Sequence, residues 1–340
     1  MHHRALSFFV GLSSVILIGW LLKALMFVTL PAVIAAFIAF LLSPLVSFMT
    51  RRRVPHVVAS SLAVILTVMA IYLVGVIILN SLVSFQEQFP NYEARINEMI
   101  SRFENLDRLE LGPISQERLR QELGRLSLSS VVGSILNSFF TFLTYLLFTL
   151  VFAIFFLLGS ARLPGKIELA FKPEQAAKIN QAVDSISRQV QGYIWAKTVT
   201  SLITGLSMTL ACLGFGVDFP ITWGFFTFLL NFIPTVGVIA ASIMPPLVHL
   251  VQYGHLATTL WLIFVLAAVF ISLGNIVEPW ILGDSVNISP LVALLSLIFW
   301  GWLWGPAGMI VAVPVTASIK FSCDHLDGLK PIGVMMGRGR

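Results

Sequence analysis

The sequence predicts an all-α, polytopic helical membrane protein with about eight transmembrane segments. Broken or re-entrant helices are expected in its C-terminal part, and an amphipathic helical segment outside the membrane. Three observations carry this. Of 340 residues, 57% are hydrophobic and 11% charged, with mean hydropathy +0.92; an ordinary soluble domain is roughly 25% charged. The 16 acidic and 21 basic residues are too few to coat a soluble surface of this size. Apolar runs of about 20 residues, the length that spans a bilayer as a helix, recur along the chain. The composition excludes a soluble enzyme, a disordered chain and a secreted disulfide scaffold.

Residues 1–83 are read as segments 1 to 3. A basic start at Arg4 precedes an apolar run from Phe8 to Leu30, interrupted by Lys23. It is longer than the apolar region of a signal peptide and reads as a retained helix. Pro31 is expected to mark a turn, with Ala32 to Met49 returning across the membrane. Arg51, Arg52 and Arg53 form a basic stop before the third span, Val57 to Leu82. Residues 84–129 change character: mixed charges alternate with Ile96, Met99, Ile100 and Phe103 at helical spacing, and Gly112-Pro113 divides them. This is the extramembrane segment, placed on the periplasmic side.

Residues 130–159 hold segment 4, and 160–197 form a net-positive cytoplasmic segment that includes Lys166, Lys178, Arg188 and Lys197. A C-terminal core follows at 198–320, with spans at 198–215, 220–251, 257–275 and 291–319. Residues 321–340 are a cytoplasmic tail. Eight crossings put both ends on one side. The basic stretches all fall there, and the segment 84–129 falls opposite, so both termini are expected in the cytoplasm of a bacterial inner-membrane protein. The net charge of +5 therefore belongs to inner loops and not to nucleic-acid binding. Cys212 in an apolar run and Cys323 in the tail predict neither a disulfide nor a metal site.

No phosphate loop, GxSxG or HExxH occurs, so no enzymatic chemistry and no cofactor are expected. The chemistry-bearing residues are polar groups and helix breakers in the last third. In Asn231-Phe-Ile-Pro234-Thr-Val-Gly237, Pro234 removes a backbone donor and Gly237 allows unusual backbone angles. Broken helices of this kind line substrate sites in transporters; a structural kink with Asn231 bonded to a neighbouring helix is the competing explanation. Gly274-Asn275-Ile-Val-Glu278-Pro279 is a second break. A carboxylate near the membrane centre costs roughly 2.5–3.5 kcal/mol, which marks Glu278 as functional unless it lies at the interface. Pro290, Gly301, Gly305, Gly308 and Pro314 form a third group, read as helix packing or a hinge, with Gly301 and Gly305 on one helix face. Lys23 and Asp218 are explained by snorkelling and by a turn. His249 and His255 flank an expected inner loop, and His2-His3 begin the chain.

With these motifs in view, the sequence resembles the autoinducer-2 exporter (PerM-like) family of bacterial membrane proteins, most of all its quorum-signal transport branch. The resemblance covers nearly the whole chain. It rests on Asn231–Gly237, Gly274–Pro279, Ser289–Trp302, Gly305–Gly308 and Val313-Pro314, with Pro31, Ser43-Pro44-Leu45 and Leu163-Pro-Gly-Lys166 also fitting. It implies a homo-oligomer, a pentamer with elevator-like movement, and a pathway lined or shaped by Asn231, Pro234, Gly237, Asn275, Glu278 and Pro279. Some members resemble exporters of autoinducer-2 and others sodium/proton antiporters. The leading expectation is a secondary transporter exporting a small polar metabolite, autoinducer-2. The alternatives are Na+(Li+)/H+ antiport at Glu278, and a non-transporting oligomeric scaffold acting through residues 84–129.

Overall fold

A computed structural model describes residues 13, 17, 19–104, 128–234, 236–282, 288–325 and 328–337. His2, His3, the start of the first span, Gly112-Pro113, Thr235 and Gly283 lie outside them. The described chain is helical: α1 (Met26–Arg51), α2 (His56–Glu104), α3 (Leu128–Ser160), α4 (Leu163–Ala170), α5 (Pro173–Gly214), α6 (Pro220–Leu230), α7 (Val236–Tyr253), α8 (Leu256–Ser272), a π-helical turn (Leu273–Val277), α9 (Glu278–Leu282), α10 (Pro290–His325) and α11 (Lys330–Met336). Among the described residues six helices are long and apolar enough to cross a membrane. The count is seven if Thr144–Ser160 and Leu163–Ala170, bent by 56°, form one span. Exposed Leu66, Leu210, Trp261 and Phe264 show apolar outer faces that suit lipid, not water.

The N-terminal break falls at Leu25 and not at Pro31. Residues 19–24 are helical, Leu25 leaves helical geometry, and α1 runs straight through Pro31 and Pro44. The Thr29 hydroxyl donates to the Leu22 and Leu25 carbonyls (3.1 Å each), which satisfies groups released by the break. Prolines are tolerated inside membrane helices where neighbours take up the freed carbonyls. α1, α2 and α3 pack around Ala39, Ala59, Ala63 and Leu157. The three alanines let the backbones approach.

α6 and α7 form a hairpin, not one crossing. Eleven residues of α6 reach only about 16 Å, half a bilayer. Both ends of the pair meet at one place: Gln252 Oε1 accepts from the Asp218 amide (3.1 Å), and Tyr253 Oη donates to the Gly216 carbonyl (3.0 Å). The α2 extension closes the same end, with Ser81 Oγ 2.6 Å from Thr222 Oγ1 and the Tyr92 phenol bonded to the Asp218 carboxylate. Burial, then that bond and the Asp218 charge, push the Tyr92 phenol above its ordinary range, so it remains a donor.

α10 also folds back on itself, although its 36 residues would suffice for a crossing. Trp304 (φ −127°, ψ 15°) and Gly305 (φ 65°, ψ −150°) break it. Trp300 Nε1 donates to Thr316 Oγ1 at 3.1 Å. In a straight helix those positions would be about 24 Å apart. The base of this second hairpin lies along the N-terminal half of α5, where Val190 and Tyr193 pack with Ile288, Ala317 and Phe321. The crossing made by α8, the π turn and α9 separates the two hairpin bases, so the hairpins enter from opposite faces.

The consequence is a change of sides. Reading 220–251 and 291–319 as simple crossings puts His249 and His255 on the side of Arg51–Arg53. The hairpins put them instead with Tyr92 and Asp218, at the opposite end.

Candidate functional site

α5 is the axis of the site. Along one face it buries Tyr193, Lys197, Thr200, Ser201, Thr204, Gly205 and Met208. Their spacing of three and four residues makes a continuous stripe, polar in its middle although the helix is membrane-embedded. The serine and threonine hydroxyls find partners: Thr200 donates to the Lys197 carbonyl (3.0 Å), Thr204 to that of Thr200 (2.8 Å), and Ser201 accepts from Asn231.

The tip of the first hairpin docks on this stripe. Asn231 is buried, and its amide donates to Ser201 Oγ at 3.0 Å. The turn satisfies its own backbone: the amides of Asn231, Phe232 and Ile233 donate to Thr227, Leu229 and Leu230, and Gly237 donates to Ile233. Pro234 sits half-buried at the turn. Gly237 is required there, because a Cβ would stand 1.7 Å from the Leu230 carbonyl oxygen. α6 approaches α5 backbone to backbone at a second pair, Gly205 and Gly224. A Cβ on the first would lie 2.6 Å from the Gly224 oxygen, and on the second 1.8 Å from Thr209 Oγ1.

Glu278 reaches the stripe from the other side. The π turn ends at its amide, which donates to the Leu273 carbonyl, a five-residue span in place of four. Such turns concentrate at functional positions. The Glu278 carboxylate meets Lys197 Nζ at 2.5 Å, with the lysine side chain 4% exposed and the glutamate 27%. Lys197 and Ser201 are four residues apart, so their side chains are neighbours on α5. The hairpin tip and the broken helix therefore meet α5 on adjacent turns, roughly 20–25 Å below its Gly214 end by helical rise.

Not every expected residue joins them. Asn275 is exposed and donates only to the Ile271 carbonyl of its own helix (2.9 Å). Pro279 is exposed on the same flank, and Gly274 has open space around it. The third group belongs to the second hairpin. Gly305 is its turn, so Gly301 and Gly305 do not share a continuous helix face. Gly301 and Gly308 line the inside: a Cβ at Gly308 would stand 2.0 Å from the Trp300 oxygen, and one at Gly301 2.8 Å from the flexible Met309 Cε. Pro290 starts the first arm and Pro314 is buried in the second. The two tips share one apolar cluster, which holds Ile233 of one, Leu303 and Trp304 of the other, and Leu30. Lys23, explained from sequence by snorkelling, lies 4.2 Å from the Trp302 ring centroid. Cys323 is buried at the end of α10 and not in an exposed tail.

Lys197 is the residue the sequence reading missed. It closes a basic run and was counted with the inner loop. The signal was its helical register with Tyr193, Thr200, Ser201 and Thr204, a face too polar for lipid and too regular for a loop.

The model of the AI-2E family of transporters matches residues 8–328. The AI-2 transport protein TqsA of Escherichia coli (strain K12) is 32% identical over 96% of both chains. A putative transport protein of Haemophilus influenzae is 30% identical over 98% of this chain and 96% of its own. Putative transport protein YhhT of E. coli K12 is 26% identical over 90% and 87%. With a helical, multi-pass architecture built around two hairpins and a buried polar seam, and with a match over nearly its whole length, this chain belongs to the AI-2E family of transporters.

Proposed function

We propose that this protein is a secondary transporter of the bacterial inner membrane that exports a small polar metabolite, autoinducer-2, and works as a homo-oligomer with both termini in the cytoplasm. The observation that carries the reading is the docking of the Asn231 tip on Ser201 beside the Lys197–Glu278 pair. It gathers amide, hydroxyl, ammonium and carboxylate groups at one level in a membrane-embedded seam. A neutral polar cargo needs such a set of donors and acceptors. The choice of autoinducer-2 is supported by the printed name of the 32% identical relative, and the orientation by the basic stretches at one end.

In this reading Asn231 and Glu278 bind cargo with Ser201 and Lys197. Pro234 and Gly237 hold the tip in shape. Asn275 and Pro279 shape the break that presents Glu278. Gly301, Gly305 and Gly308, with Pro290 and Pro314, let the second hairpin move against the first. Autoinducer-2 flux from proteoliposomes, with and without an imposed proton gradient, tests it. Flux above empty liposomes, lowered about tenfold by Asn231→Ala (equivalent to ~1.4 kcal/mol), is the expected result. Absence of flux from the folded protein would sink the exporter reading.

A further inference from the structure

We infer that Lys197 is the built-in counter-ion of the transport site. It fills the place at Glu278 that a coupling sodium, lithium or hydrogen ion would otherwise take, so the cargo is uncharged and moves down its own gradient without a co-transported ion. The inference rests on the transport reading and adds to it how the site is charged.

The geometry carries it. The ammonium is 2.5 Å from the carboxylate and its side chain is 4% exposed. An ion pair at this depth is neutral as a unit. Bringing a cation to Glu278 would require expelling the lysine or leaving two positive charges beside one negative, and burying an uncompensated charge in a membrane is costly. An anionic cargo would leave the opposite imbalance. An uncharged cargo with hydroxyl or carbonyl groups meets neither penalty. It can accept from the donors that Lys197 retains and donate to the remaining lone pairs of Glu278, whose partial exposure leaves a side open. Asn231 and Ser201, one helical turn along α5, extend the hydrogen-bonding set without adding charge.

The test uses the full-length protein in proteoliposomes. Autoinducer-2 flux is measured in sodium, lithium or choline chloride and under an imposed membrane potential. Sodium- and lithium-driven proton movement is followed with a pH-sensitive dye. Wild-type flux is expected to be the same in all three salts and indifferent to the potential, with no ion-driven proton movement. Lys197→Met leaves Glu278 free, and is expected to make flux depend on sodium or lithium, or to create ion-driven proton movement where wild type has none. Lys197→Arg keeps a counter-ion, so whatever flux it retains is expected to stay independent of sodium and lithium, with no ion-driven proton movement.

Ion-dependent flux or ion-driven proton movement in wild type would overturn the inference while leaving the exporter reading standing. A folded Lys197→Met protein without any ion dependence, active or not, would also overturn it. If Lys197→Met does not fold, the wild-type salt comparison decides alone. If wild type shows no autoinducer-2 flux, the exporter reading fails and the dye measurement still decides this one.

Discussion

Removing one partner of the Lys197–Glu278 pair leaves the other charge without compensation in a membrane-embedded seam. Glu278→Gln alone is therefore expected to lower stability by about 3–5 kcal/mol, the usual cost of stranding a buried charge. Lys197→Met with Glu278→Gln removes both charges and is expected to recover most of that loss. Thermal unfolding in detergent of the two variants checks this, and equal losses would mean that the pair does not act as a unit. At this scale the sequence was informative about Asn231, Gly237 and Glu278, because a polar or backbone-permissive residue inside an apolar run stands out. It was not informative about Lys197, whose charge merged with the basic run before it. Nor could it pair Gly205 with Gly224. Their contact is made between two helices, and a glycine in an apolar helix has no local mark that distinguishes a crossing point from an open face. Asn275 matches the pattern of Asn231, but its amide donates to its own helix and not to α5.

The hairpin tips depend on glycines for two different reasons, and their substitutions separate them. At Gly237 the backbone is ordinary and space is lacking. Gly237→Ala forces a methyl onto the Leu230 carbonyl and is expected to cost about 1–3 kcal/mol as overpacking. At Gly305 space is open and the backbone is the obstacle. Its φ of 65° with ψ of −150° is accessible to glycine and strained for other residues, so Gly305→Ala is expected to cost about 1–3 kcal/mol through strain. Gly274→Ala, with nothing within 4 Å of the added carbon, serves as the control and should be near neutral. Unfolding midpoints of the three variants check the set; a harmless Gly305→Ala would contradict the described turn. Helical character was readable for the apolar spans, but α4, the first half of α5 and α11 lie in stretches that read as a basic inner segment and a tail. Breaks were readable as proline and glycine, but not what each break does. Pro31 and Pro44 pass through α1 without ending it, while Leu25, with no breaker of its own, interrupts the chain. Satisfaction of the freed backbone groups decides these outcomes, and those partners come from tertiary structure.

For the whole molecule, the question that hydropathy alone could not answer was whether 220–251 and 291–319 cross the membrane or return. Either choice leaves both termini on the same side, so the lysine and arginine distribution agrees with both. The structure breaks the tie through long-range packing: Asp218 bonded to Gln252 at one face, Trp300 to Thr316 within the second hairpin, and Ile233 and Trp304 in one apolar cluster at the tips. Two hairpins entering from opposite faces onto one polar helix are the arrangement on which the proposed transport site rests. The loops that change sides offer the most direct test. Single cysteines at His255→Cys and Ser289→Cys, with Arg52→Cys as the inner reference, would be labelled with a membrane-impermeant maleimide in intact and in lysed spheroplasts; among the described residues the native Cys212 and Cys323 are both buried. Position 255 is expected to label from outside, and positions 289 and 52 only after lysis. Labelling of 289 from outside with 255 protected would restore two simple crossings and contradict the paired hairpins on which the proposed transport site rests.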